Sequence, residues 1–155
     1  MKRKRYYMCY GSNLSVEQML HRCPQAVYVG TGKIRDHRLL FRGSLTGSYL
    51  TIEEKKGRSV PVVVWKVSQK DEAALDLYEG YPRFYRKEEL PIEVKSLIDG
   101  APIGTVPAFV YVMDERRPLG KPTSLYLQVC EEGYDRFGFD RKVLQRAVRE
   151  SQGRK

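Results

Sequence analysis

The run Val62-Val63-Val64-Trp65, inside residues 60–67, is apolar at consecutive positions. A strand with one wet face alternates apolar and polar residues, so a run without alternation predicts a strand buried on both faces. Such a strand is central in its sheet or forms one side of a closed sheet. Residues 5–10, 26–33, 38–41, 49–52, 85–94 and 106–112 also read as strands, several joined by turn signals such as Asp99-Gly100. Residues 16–23, 68–79, a segment opening at Thr123 or Ser124, and 143–148 read as helices. About six or seven strands and four helices without regular alternation argue against a doubly wound parallel sheet. The predicted class is α+β: a small, mixed, mostly antiparallel β-barrel with flanking helices.

Local signals fill in the rest. Residues 53–58 are charged and contain Gly57, which predicts a hairpin tip, and residues 43–47 read as loop. Ser68 caps the helix over 68–79, whose apolar stripe is Ala73, Ala74, Leu77 and Tyr78. Pro91 places the middle of its strand near an edge or bulge. Residues 114–122 hold Pro118, Gly120 and Pro122 and form the longest loop, a candidate lid. Gly133 is expected to stop or bend the helix that begins near residue 124. The length of 155 residues suits a single domain over 1–155, with a charged end at 1–4 and a frayed tail at 150–155.

Composition narrows the function classes. Apolar residues make up 41% and aromatic residues 11%, as in globular chains. The apolar runs fall far short of a membrane span, and the N-terminus lacks the apolar core of a secretion signal, so the expected location is cytoplasmic, with no membrane partner. The net charge of +9 favours polyanions, and Lys2-Arg3-Lys4-Arg5 concentrates some of it. The remaining charge is spread along the chain, and no nucleic-acid-binding motif accompanies it, which argues against nucleic acid as the partner. Cys9, Cys23 and Cys130 have no metal-like spacing and read as core thiols, and His21 and His37 are the only histidines. No metal site is expected. No signal for oligomeric state is legible.

Two stretches carry candidate chemistry. Residues 7–14, Tyr7-Met8-Cys9-Tyr10-Gly11-Ser12-Asn13-Leu14, predict a buried strand, a tight turn and a helix start. Gly11 admits a close backbone approach, and Ser12, Asn13 and Ser15 are candidate caps that leave backbone N–H groups facing one point, which attracts a carboxylate or an oxyanion. Taken alone, this is also an ordinary capped junction. Glu79 ends the helix over 68–79 between Tyr78 and Gly80-Tyr81-Pro82. The helix dipole and aromatic neighbours both disfavour its charge, raising its pKa toward the range of a general base, although an isolated glutamate there also reads as an exposed helix end. Tyr126, near the start of its helix, either points its hydroxyl into a pocket or packs in the core. Tyr10 either walls that pocket or packs. Arg83 and Arg86 lie near Glu79 in sequence and are candidate anion contacts. Gly11-Ser12-Asn13 lacks the elbow pattern of a hydrolase serine, and no glycine pattern matches a P-loop or dinucleotide fingerprint.

These residues together resemble the gamma-glutamylcyclotransferase-like family, which includes the plant avirulence-induced-gene-like proteins and bacterial relatives. The resemblance rests on Tyr10-Gly11-Ser12-Asn13-Leu14 after the first strand, Leu77-Tyr78-Glu79-Gly80 followed by Tyr85 and a basic strand, and Pro122-Thr123-Ser124-Leu125-Tyr126 opening a helix. It spans about residues 6–140, and the three motifs in this order are specific. The family often has serine where this chain has Thr123, and a Leu-Pro turn where this chain has Phe137-Gly138-Phe139-Asp140. The resemblance implies cyclisation of a gamma-glutamyl group to 5-oxoproline with release of an amine. It implies Glu79 as general acid/base and Tyr10, Gly11, Ser12, Asn13, Leu14 and Tyr126 as the substrate-binding set, with no metal or organic cofactor. The alternative is a catalytically silent small-molecule-binding relative of the same fold.

Overall fold

The computed structural model describes residues 4–44 and 47–153. Five strands, β1 (Arg5–Cys9), β2 (Val27–Ser44), β3 (Gly47–Val67), β4 (Tyr85–Lys95) and β5 (Pro102–Met113), close into a barrel in the order β1-β3-β2-β4-β5. All pairs are antiparallel except β1 with β5, which join in parallel through Tyr6 opposite Ala108 and Tyr7 opposite Phe109. The mixed, mostly antiparallel barrel is thus the architecture that the sequence predicts. The Val62-Val63-Val64-Trp65 run lies in β3 between β1 and β2, and its side chains are at most 2% exposed. Four helices flank the barrel: α1 (Val16–Arg22), α2 (Gln69–Glu79), α3 (Ser124–Phe137) and α4 (Arg141–Ser151).

The strands are fewer and longer than expected. The segments 26–33 and 38–41 fuse into β2, and 49–52, 53–58 and 60–67 fuse into β3. Residues 53–58 are therefore not a hairpin tip. Arg35 faces Ser59 and His37 faces Glu54, so residues 55–58 are extra length inside a continuous ladder. Left-handed backbone at Asp36 (φ 57°) and Gly57 (φ 85°) absorbs that length, and the Gly57 N–H donates to Asp36 Oδ1 at 2.9 Å. Gly43 and Gly47 also belong to strands, while residues 45–46 of the predicted loop lie outside the described residues. Pro91 faces Pro107 across the β4–β5 ladder, in a stretch that makes no ladder with β2, consistent with its missing N–H.

The helices correct other expectations. On α2 the buried residues are Asp71 and Leu75, whereas Leu77 is 85% exposed and Tyr78 45%. The predicted stripe is displaced because the end of α2 faces a cavity mouth rather than the core. Gly133 does not stop α3, which runs on to Phe137 and is capped by Gly138 at φ 70°. Instead it lets Leu14 pack against the helix: a Cβ at Gly133 would stand 2.5 Å from Leu14 Cβ. The loop 114–122 is a strap. The N–H groups of Gly43, Ser48 and Gly120 bond Pro118, Lys121 and Phe41 carbonyls, and Arg42 holds the Glu115 and Arg117 carbonyls. The predicted fraying from residue 150 does not occur at Glu150 or Ser151. Glu150 pairs with Arg58 at 3.1 Å and Arg38 at 3.7 Å, and buried Ser151 accepts the Phe41 N–H at 2.8 Å. Residues 1–3 and 154–155 of the predicted ends lie outside the described residues.

Candidate active site

Where β1 and β5 finish and β4 begins, the barrel opens into a cavity of about 370 Å³. Tyr7, Tyr10, Gly11, Ser12 and Asn13 reach it from β1 and the following turn, and Tyr49 and Leu50 from β3. Tyr78 and Glu79 come from α2, Tyr85 from β4, Tyr111 from β5 and Tyr126 from α3. Of the predicted site residues, Glu79, Tyr10, Gly11, Ser12, Asn13 and Tyr126 therefore come together although they are scattered along the chain. Leu14 does not line the cavity. It is fully buried beneath Gly133, and its N–H donates to the Gly11 carbonyl at 3.0 Å, so neither its side chain nor its N–H faces a ligand. Residues 114–122 contribute nothing to the cavity wall, so the lid expectation fails.

Among the described residues, Glu79 is the one carboxyl group lining this cavity. It ends α2 at the αL cap Gly80 and is half-buried, and its carboxyl group has no hydrogen bond or ion pair among the described residues. Desolvation pushes its pKa up to about 7, and Arg22 on α1 pulls it back in part. Its place at a helix C-terminus also disfavours the charge. Arg86 pairs instead with Glu88 and Glu115, away from the cavity, and Arg83 does not line it.

The turn after β1 is a short 3-10 segment, Ser12–Leu14. Its internal bonds use the N–H groups of Leu14 and Ser15. Those of Ser12 and Asn13 meet no protein acceptor among the described residues. Ser15, not Ser12 or Asn13, caps α1, by accepting the Gln18 N–H. Asn13 is committed on both sides: its Nδ2 donates to the Tyr7 hydroxyl at 2.9 Å, and its Oδ1 accepts from Arg22. Its side chain therefore braces the turn rather than reaching for a ligand. The Arg22 guanidinium lies over the Tyr78 ring, 3.3 Å from its centroid, and Ser12 Oγ meets the Tyr78 hydroxyl at 2.9 Å.

Tyrosines build the rest of the wall. Thr123 caps α3 by accepting the Tyr126 N–H, which puts Tyr126 in the first turn. The Tyr126 hydroxyl accepts the Leu50 N–H at 3.1 Å, and Tyr85 donates to the Leu50 carbonyl at 2.7 Å. Tyr10 donates to the Tyr111 carbonyl at 2.6 Å. Tyr111 donates to Asp76 Oδ1 at 2.7 Å, and Asp76 continues through Lys87 and Glu72 to Arg5. Burial holds Tyr7, Tyr10, Tyr85, Tyr111 and Tyr126 protonated well above the ordinary tyrosine range. The Cys9 thiol is pushed up to about 12 by the same cause, as befits a core thiol. Sequence reasoning missed Tyr7, Tyr85, Tyr111 and Arg22. An inward-pointing tyrosine on a predicted strand was the available signal for the tyrosines, but Arg22 meets Asn13 and Tyr78 only through the fold. Among the described residues no group of three His, Cys, Asp or Glu side chains is placed to hold a metal ion, and no helix is long and apolar enough to cross a membrane.

A closed five-stranded barrel with one half-buried carboxyl group in a tyrosine-walled mouth defines the class. Residues 7–133 match the family described as gamma-glutamyl cyclotransferase, AIG2-like, and the chain belongs to that family. Over 81 residues it is 36% identical to a gamma-glutamylcyclotransferase from Bos taurus, a match covering 48% of this chain and 43% of that protein. One from Mus musculus is 33% identical over the same length and shares. The chain spans less than half the length of these curated relatives. Among solved structures, a gamma-glutamyl cyclotransferase has a TM-score of 0.76 at 24% identity, covering 94% of this chain and 86% of that one. A yeast cyclotransferase described as specific to glutathione has a TM-score of 0.62 at 9% identity, covering 97% and 96%. At these identities the structural likenesses show the fold.

Proposed function

We propose that this chain cyclises a gamma-glutamyl group to 5-oxoproline, with Glu79 as general acid/base. The substrate's α-amine attacks its own γ-carbonyl carbon. A lactam C–N bond forms, the γ-amide C–N bond breaks, and an amine leaves. The nucleophile is tethered to its target, so holding the chain in a folded-back pose supplies much of the rate without a covalent enzyme intermediate. An ammonium has no lone pair, so attack requires a base to take one of its protons. Glu79 takes it and returns a proton to the leaving nitrogen. A carboxyl group with a pKa of about 7 suits both directions. The N–H groups of Ser12 and Asn13 offer donors to substrate oxygens.

The observation that carries this reading is the unpaired Glu79 carboxyl group in a cavity whose other acids are weak ones, tyrosine hydroxyls and the Cys9 thiol. Release of 5-oxoproline from a panel of gamma-glutamyl compounds tests it, with Glu79→Gln alongside. Turnover that collapses in Glu79→Gln supports the assignment, and the best substrate identifies the leaving amine. A native protein that releases no 5-oxoproline from any member of the panel sinks it.

A further inference from the structure

Arginine has N–H donors and no acceptor. The contact from Arg22 therefore fixes the orientation of the Asn13 amide: Oδ1 must face Arg22, and Nδ2 must face Tyr7. Nδ2 is a donor, so the Tyr7 oxygen is the acceptor in that bond, 2.9 Å long. The Tyr7 proton must then point elsewhere. No acceptor for it exists among the described residues, and Tyr7 is 2% exposed. The ring is fixed by Phe109 and Tyr111 on β5, at centroid distances of 5.2 and 5.9 Å. The open volume that Tyr7 adjoins is the cavity holding Glu79.

We infer that Tyr7 is a second catalytic residue, presenting its hydroxyl proton to the γ-carbonyl oxygen as negative charge develops there, with Arg22 and Asn13 as the positioning residues that direct that proton. The inference rests on the cyclisation reading above. A fixed donor aimed at a developing oxyanion accelerates a reaction because it needs no reorganisation when the charge appears. Donation along a chain headed by a cation also strengthens the last link. Burial supports the role by keeping Tyr7 protonated through the whole range in which Glu79 titrates. The other wall hydroxyls with assigned donor bonds, Tyr10, Tyr85 and Tyr111, give their protons to protein oxygens.

The test compares the native protein with Tyr7→Phe, Arg22→Met and the double variant, at a pH above the Glu79 titration. Release of 5-oxoproline from the best panel substrate is followed, and binding of 5-oxoproline itself is measured by calorimetry. The five-membered ring of this product carries the same carbonyl oxygen. Tyr7→Phe is expected to keep the native melting temperature to within a few degrees. Its kcat should fall by about 10²-fold, the loss typical of one oxyanion donor, with KM little changed. Arg22→Met should show a smaller fall. Added to Tyr7→Phe, it should lower kcat no further, because its effect passes through the missing hydroxyl. Tyr7→Phe should also bind 5-oxoproline more weakly. A folded Tyr7→Phe with native kcat overturns the inference while leaving the cyclisation reading intact. Native affinity for 5-oxoproline in that variant, or additive losses in the double variant, would overturn it equally. A native protein that neither releases nor binds 5-oxoproline removes both.

Discussion

The Tyr126 hydroxyl stands 3.1 Å from the point where a Cβ on Gly11 would lie. The contact joins the turn after β1 to the first turn of α3, at the wall of the cavity that holds Glu79. A side chain at Gly11 would therefore crowd the hydroxyl, which also accepts the Leu50 N–H. In Gly11→Ala the hydroxyl must retreat by a few tenths of an ångström or the turn must shift. Either change weakens the Leu50 bond and disturbs the neighbouring Ser12 and Asn13 N–H groups. Overpacking of this kind costs about 1–3 kcal/mol. The expected result is a lower melting temperature together with a fall in kcat/KM, and a fully native variant would show that the contact has slack.

Glu79 sets two pH dependences of opposite sense. In the proposed role of base it would act when ionised, so kcat/KM should rise with pH and level off through an inflection at about 7. Arg22 favours the ionised form, so its loss should move that inflection to higher pH. Stability runs the other way. The folded pKa lies above the ordinary glutamate value of 4.5, so the folded state binds the extra proton. The contribution is fully present below about 4.5 and is lost as pH rises through about 7. Glu79→Gln should therefore be more stable than the native protein at pH 8, by about 3 kcal/mol, with the difference closing toward pH 4. Denaturant titrations of both proteins across that range check the sign.

Gly133→Ala places a methyl group 2.5 Å from Leu14 Cβ in the middle of α3. Alanine is the better helix former, and on an exposed helix the change would stabilise by about 1 kcal/mol. Here the clash reverses the sign. Leu14 closes the turn that carries Ser12 and Asn13, so the displacement passes directly to the cavity. A destabilised protein with weakened substrate binding is expected, whereas a stabilised one would show that α3 can lift away from the turn.

Glu150 fastens the end of α4 to the barrel through Arg58 and Arg38, with Arg146 one turn earlier. These cations, Arg58 first, hold its carboxyl below the usual glutamate range, against the opposing effect of burial. A depressed pKa contributes stability above the unfolded value, and that contribution is lost as pH falls through the folded one. Glu150→Gln should destabilise by about 1 kcal/mol at neutral pH and converge with the native protein in acid. Because α4 lies outside the cavity wall, turnover per folded molecule should be unchanged.

The sequence made the barrel class legible because its strongest signal, the run at 62–65, is a tertiary one: only a closed or central position buries both faces of β3. The helix start at Ser68 was legible because a single oxygen decides it, whereas Thr123 was one of two candidate caps and Ser15 one of three, and only the structure chose between them. The length of β2 and β3 was not. Charge and Gly57 mark residues 53–58 as a turn, and only the partner strand, through Asp36, reveals that the ladder continues. Gly133 was misjudged for the same reason, since its purpose lies in Leu14, more than a hundred positions away. Leu77 and Tyr78 look like core on helical spacing, yet they border a cavity, and spacing does not distinguish the two. Around Glu79 the motif residues were legible, and the parts that complete them, Tyr7, Tyr111 and Arg22, were not.

The parallel seam of β1 with β5 should make the cavity a late product of folding. Only β2–β3 and β4–β5 join consecutive strands; β1–β3 and β2–β4 pair across intervening ones, and Tyr6 and Tyr7 must find Ala108 and Phe109 at the longest separation of all. Closing so long a loop is entropically slow, and nothing local rewards it until the seam is made. Tyr7 and Tyr10 stand on one side of that seam and Tyr111 on the other. During refolding, recovery of turnover should therefore lag behind recovery of sheet signal and coincide with the slowest step. Competence then serves as a clock for barrel closure.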